Sequence, residues 1–224
     1  MTYGQLATFK VNTEKSSIGF IQCFPKKVKS DAEHFGLSGG NMNESKNPSA
    51  VFSKSQIQSA LFDLMGRIPY EKITVKEILY ESKVARKTFY RNFDSKDDVL
   101  DSIIDRFLKE YLDSFMAMEE ESLEVFFDVV FSSVENNISF FEILNKNSLL
   151  HLVFEKLNIV IPQMHEKLCS DCSFFRGIEG NLSRYLIAFN VGAVWNVIMC
   201  WLADGMKTDR NLVKKTLVKY LAGM

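Results

Sequence analysis

Residues 53–96 read SKSQIQSALFDLMGRIPYEKITVKEILYESKVARKTFYRNFDSK, and the rest of the chain is interpreted from this stretch. It holds nine Lys and Arg against five Asp and Glu, a net of +4, whereas residues 97–150 hold three against thirteen, a net of −10. The whole chain of 224 residues carries a formal charge of −1, so a polyanion partner has to be argued from local charge. That asymmetry gives the stretch a basic face and the remainder an acidic body unsuited to lying on nucleic acid.

Periodicity divides the stretch into short helices. Helix 1 is expected over Ser53–Gly66, with Ser53 and Gln56 as a capping box and Ile57, Ala60, Leu61 and Leu64 as its apolar stripe. Gly66 ends it and Pro69 keeps it from resuming. Thr74 with Glu77 opens helix 2, which turns Val75, Ile78 and Leu79 inward. Helix 3 covers Ala85 to Asn92. A third box, Ser95 with Asp98, opens a helix whose positions Leu100, Ile103, Ile104, Phe107, Leu108, Tyr111, Leu112 and Phe115 keep helical spacing for more than four turns.

Further on, helices are expected at 123–134, 138–144, 149–169 (bent or split at Pro162), 181–203 and 209–221, with a loop around 170–180. No alternating strand pattern occurs. The fold class is therefore all-α: a three-helix N-terminal helix-turn-helix domain, joined by a long helix to a C-terminal helical domain. The expected boundaries are 1–52, 53–96 and 97–224. The first segment is expected to be disordered or loosely packed, since Gly36, Gly39, Gly40, Asn41, Asn43, Asn47 and Pro48 cluster near its end. Gly39-Gly40-Asn41-Met42 is what a translated ribosome-binding site before a start codon would spell, so Met42 is a candidate natural start. The other reading is a flexible arm touching DNA through Lys26, Lys27 and Lys29.

Two short helices joined by a tight turn, the second rich in basic and hydroxyl side chains, suit the major groove of double-stranded DNA. On helix 3, Phe89 and Phe93 lie four apart and share a face. At about 100° per residue, Lys87 and Arg91 fall opposite them, flanked by Thr88 and Tyr90. Charge count alone does not separate this from a solvated basic hairpin.

Residue order does. EKITVKEILYESKVARKTFYRNFDSKDDVL resembles the helix-turn-helix of the TetR family of bacterial transcription regulators over about forty-five residues, with its Thr-Phe-Tyr-x-x-Phe core and a lysine three beyond it. The resemblance implies phosphate contacts from Thr74, Tyr90, Asn92 and Lys96, and a place in the major groove for Arg86, Lys87 and Thr88, with Arg91 on the same face. Three departures stand out: Lys83 where the family turn has Gly, Ala85 where a Ser caps helix 3, and Asn92 in place of His. The C-terminal pattern of Gly192, Trp201, Leu202 and Gly205 is similar to a Gram-positive subgroup that includes regulators beside dihydroxyacetone-kinase genes.

The resemblance also implies a homodimer through the last two helices, with Leu186, Gly192, Ala193, Val197, Trp201 and Leu217 as interface candidates, and hence a near-palindromic operator. An all-round apolar helix such as 186–203 needs a partner, and Gly192 with Ala193 permits close approach. A membrane span there is disfavoured by Asn190 and Asn196 and by the lack of a second span. The body is implied to bind a small effector or protein co-regulator. Candidate lining residues are Phe107, Tyr111, Phe126 and Phe127, together with Phe131, Phe154, Phe189 and Trp195.

His165, Cys169 and Cys172 have the spacing of three metal ligands but lack an evident fourth, so no metal or cofactor is expected. His151, on an apolar helix, is expected in the core or a pocket. Four cysteines without a framework and no signal peptide point to a reducing, cytoplasmic compartment. HExxH, GxSxG and phosphate-binding glycine loops are absent, and no enzyme is expected. The alternative is a helical protein-interaction module without sequence-specific DNA binding.

Overall fold

The computed structural model describes residues 48–120, 122–168 and 183–222, and throughout them the regular structure is helical. In chain order these are α1 (Pro48–Arg67), a short 3-10 helix (Tyr70–Lys72), α2 (Val75–Ser82), α3 (Arg86–Asn92) and α4 (Lys96–Met116). Then follow α5 (Leu123–Asn136), α6 (Ile138–Lys146), α7 (Leu150–Leu168), α8 (Ser183–Ala203) and α9 (Arg210–Ala222). Three expectations lie outside the described residues: the Met42 start with the lysine-bearing arm, the 170–180 loop, and Cys169 with Cys172.

Helix α1 starts five residues before the expected Ser53. Pro48 suits a first helical turn, where its missing N–H removes no bond. Ser53 is interior instead, its hydroxyl donating to the Ser49 carbonyl at 2.8 Å, so the Ser53–Gln56 box does not form. The other two boxes do, at Thr74/Glu77 and Ser95/Asp98. Pro162 does not split α7, which runs unbroken from Leu150 to Leu168. Val153, Val160 and Met164 are buried on both sides of the proline, and that packing holds the helix through one lost N–H. His151 is exposed at the start of α7, its Nδ1 3.0 Å from the Ser148 carbonyl, so it is neither core nor pocket.

Helix α1 packs on α2, α3, α4 and α6, and α4 continues from it to α5 and α7. Helices α7 and α8 pair, as do α5 and α9. One apolar core runs through all of this, from Ile57, Ile78 and Phe89 at one end to Trp201 and Leu221 at the other. Its middle is a relay of rings: Phe107 stacks on Phe140 at 4.8 Å, Phe126 meets Phe127, and Phe131 meets Trp201 edge-on at 5.0 Å. A smaller cluster of Leu112, Val160 and Met164 extends the packing of α4 against α7. Polar ties reinforce the pairs. Lys156 on α7 bridges Asp105 and Asp101 on α4, Lys214 bridges Asp128, and Arg210 bridges Glu135. Burial holds the Asp105 carboxyl above its usual range even with Lys156 beside it.

The α8–α9 corner explains part of the C-terminal pattern. Gly205 takes φ 72° and Met206 follows at φ 56°, while Gly205 N–H donates to the Leu202 carbonyl at 3.0 Å. The Trp201 indole N–H donates to the Thr208 carbonyl at 2.8 Å. Trp201 is thus a buried core residue.

Candidate nucleic-acid interface

The site begins at a helix end. Thr74 accepts the Glu77 N–H while the Glu77 carboxylate accepts the Thr74 N–H at 2.7 Å and its hydroxyl at 2.9 Å. These bonds from Thr74, backbone first and hydroxyl second, hold the Glu77 carboxyl below its ordinary range. Helix α2 ends at Lys83, whose φ 55° and ψ 23° are left-handed. A lysine thus takes the left-handed conformation that glycine adopts most readily.

Helix α3 follows with Ala85 at its N-cap and no side-chain cap. Its inner face is Phe89, fully buried, with Phe93 6.1 Å away ring to ring. Burying a Phe side chain stabilises by about 1.5–3 kcal/mol, which sets how α3 sits on α1 without a cap. Opposite that face, Arg86, Lys87, Tyr90 and Arg91 are exposed, with Thr88 half-buried between them. The Arg86 guanidinium lies 5.4 Å from the Tyr90 ring centroid, so cation and phenol are presented as one unit. Asn92 donates to the Thr88 carbonyl at 2.7 Å, closing the last turn of α3.

Two basic residues of the stretch are engaged within the protein, Arg67 at the surface and Lys96 half-buried. Arg67 pairs with Glu81 at 2.7 Å, tying α1 to α2. Lys96 donates to the carbonyls of Tyr70 at 2.8 Å, Ile73 at 3.0 Å and Glu71 at 3.3 Å, with its ammonium 4.5 Å from the Tyr70 ring centroid. Lys96 is therefore a clamp on the 3-10 turn, a position that its spacing from Tyr90 did not reveal. Thr74 is likewise engaged by Glu77. So the structure brings Arg86, Lys87, Thr88, Tyr90 and Arg91 together on one face, with Asn92 at its end and Thr74 and Lys96 held in local bonds.

Sequence reasoning missed Tyr70. Its phenol donates to Asp97, and burial followed by that carboxylate keeps the proton on it far beyond the usual phenol range. A lone tyrosine after proline carries no sequence signal of such a role.

Residues 57–103 match the family model of the bacterial regulatory proteins of the tetR family, a span that holds α2, α3, most of α1 and the start of α4. This segment is a TetR-type helix-turn-helix domain. The match covers 47 of the chain's 224 residues and supports a part in DNA binding and transcription regulation. No curated protein matches the chain.

In the body, the lining candidates separate. Phe107, Phe127 and Phe131 are core residues, and Tyr111 and Phe126 are half-buried beside them. Phe154 stacks on Trp195 at 5.5 Å, joining α7 to α8. Phe189 is 66% exposed on α8. Burial pushes the Tyr111 phenol up to about 12 and lowers the His165 imidazole below its usual range. The segment Arg184–Ala203 is apolar and long enough to cross a membrane by length and composition, with only 17% of its window buried within the protomer.

Proposed function

We propose that the chain is a TetR-family transcriptional regulator that binds a near-palindromic operator as a homodimer, under the control of a small effector or a protein co-regulator. The observation that carries this is α3: Phe89 and Phe93 buried on one side, Arg86, Lys87 and Arg91 exposed on the other, inside the matched segment. Arg86, Lys87 and Thr88 sit at the N-terminal end of the helix that enters the groove, where side chains reach base edges. Tyr90, Arg91 and Asn92 face the flanking phosphates, which fix register. Thr74 joins them by exchanging the Glu77 carboxylate for a phosphate oxygen, and Lys96 by giving up its longest bond, to the Glu71 carbonyl, while keeping Tyr70.

The dimer reading is supported by the outer face of α8 and α9. Tyr185, Phe189, Leu212 and Tyr220 are exposed there, and Gly192 has open space beyond it. A monomer that leaves so apolar a helix uncovered is incomplete. Of the interface candidates, Leu186, Gly192, Ala193, Val197 and Leu217 are half-buried in the protomer, with Val197 and Leu217 packed against its core. Two-fold pairing places the α3 copies about 34–36 Å apart, one turn of DNA. The likeness to the dihydroxyacetone-kinase-linked subgroup is a likeness of the α8–α9 corner, where Trp201, Leu202 and Gly205 hold the turn itself. It names no effector. A cytoplasmic location goes with the proposed DNA partner.

Binding of the full chain to DNA from its own promoter region, measured at several salt concentrations, tests the reading. Specific retention is expected, with log affinity falling linearly against log salt by about 0.9 per phosphate neutralised. Lys87→Ala should lower the affinity and change the sequence preference; Tyr90→Ala should weaken all sequences alike. A Lys87→Ala chain with affinity and preference intact would misplace α3. Retention of no DNA at any salt would favour a helical protein-interaction module.

A further inference from the structure

Where α6 meets α7, the body grips the matched domain through two neighbouring side chains, Asn147 and Lys146. Asn147 accepts the Tyr70 N–H on Oδ1 at 2.7 Å and donates from Nδ2 to the carbonyls of Met65 at 3.2 Å and Ile143 at 2.8 Å. Beside it, Lys146 donates to the Gly66 carbonyl at 2.6 Å. The carbonyls at the end of α1 have no partner inside their own helix, so the body supplies donors to them. Ile143 packs there too, its Cδ1 3.8 Å from where a Gly66 side chain would start.

The grip does not stop at α1. Tyr70 is held at three points: its N–H by Asn147, its carbonyl by the Lys96 ammonium, and its phenol by Asp97. Lys96 and Asp97 form the first turn of α4, which follows α3 after three residues. An unbroken set of polar bonds therefore links the α6–α7 corner to the helix start that carries α3. The partners of Asn147 in the matched domain lie 77 and 82 residues away in sequence, so the link belongs to tertiary structure alone.

We propose that Asn147 is a positioning residue for the reading helix, and that Tyr70 relays the state of the α6–α7 corner to the start of α4. The proposal rests on the DNA-binding reading above for its effect on affinity, though not for the relay. An asparagine suits the place because one planar amide supplies an acceptor for Tyr70 and donors for two carbonyls.

The test is Asn147→Ala in the full chain, read by amide hydrogen exchange and by binding to its own promoter DNA. Losing one net hydrogen bond corresponds to about five- to tenfold in an equilibrium. Exchange should therefore quicken by about tenfold at Tyr70, Lys72 and Ile73, and also at Asp98 on α4, with DNA affinity down by about fivefold. Asn147→Asp, which keeps the acceptor and loses the donor, should fall between. Asn147→Ala combined with Asp97→Asn should show non-additive effects on affinity, since both act through Tyr70 without touching each other. Faster exchange confined to residues 143–150, with additive or absent effects on affinity, would overturn the proposal. Should Asn147→Ala fail to fold, Lys146→Met at the exposed edge of the same grip is read by the same two measurements. If the unaltered chain binds no DNA, the functional reading fails and the exchange pattern still decides the relay.

Discussion

Lys83 occupies a left-handed backbone conformation, φ 55° and ψ 23°, at the turn between α2 and α3. For a residue with a Cβ this costs roughly 1–2 kcal/mol, and glycine avoids it while losing about 0.5–1 kcal/mol of chain entropy on folding. Lys83→Gly should therefore stabilise the protein by about 0.5–1 kcal/mol, raising the thermal midpoint by about 2 °C. A lowered midpoint in thermal unfolding would mean that the lysine side chain holds the turn. Sequence pattern located this strained position because the motif there calls for glycine. It did not locate Tyr70, Asn147 or the inward turn of Lys96, whose partners are backbone carbonyls and amides that leave no trace in residue type.

Within the matched segment, α2 and α4 start on complete capping boxes, and α3 starts with no side-chain cap. Thr74 and Glu77 satisfy each other's N–H groups, whereas Ala85 has no side chain to offer. Thr74→Ala should cost about 1 kcal/mol of stability in denaturant unfolding. It should also return the Glu77 carboxyl part of the way toward its ordinary 4.5, because the hydroxyl bond is lost while the larger lowering by the backbone N–H of residue 74 remains. The sign follows from linkage. A lowered carboxylate stabilises above its unfolded value and loses that contribution as pH falls through its folded one. The unaltered protein should thus lose stability below about pH 4.5 more steeply than Thr74→Ala does. A carboxyl titration by NMR that finds Glu77 unmoved in the variant would remove the box from the account. Helix α3, uncapped, depends on Phe89 and Phe93 for its place, so its stability is set by packing on α1 rather than by its own ends.

For the molecule as a whole, the proposed dimer rests on the outer faces of α8 and α9. A Cβ placed on Gly192 would meet nothing within 4 Å, so a larger residue fits the protomer there. At a face where two helices approach closely it would clash. Gly192→Leu should keep the helix content and dissociate the dimer, read by sedimentation at micromolar concentration. Operator affinity should fall with it, since each protomer alone brings one α3 to the DNA. A chain that sediments as a monomer before substitution, or a Gly192→Leu chain that remains dimeric, would contradict the pairing proposed for this face.

The sequence by itself determined the all-α class, the order of the helices, the matched segment and the two-sided character of α3. Each of these rests on local spacing: apolar residues every three or four positions, capping pairs three apart, and an ordered motif. Helix starts without a local box, such as that of α1 at Pro48, escaped it, as did the continuity of α7 through Pro162. Tertiary structure decided which aromatic residues are core and which face outward. Trp201 turned inward to the Thr208 carbonyl and Phe189 turned out, although both lie on one helix that is apolar all round. On such a helix hydrophobicity cannot tell the faces apart, because every face is apolar. Only the packing of α7 against it, and of Phe131 on α5 against Trp201, selects the side that is buried. The grip of Asn147 on Tyr70 likewise exists only once α6 and α1 have met.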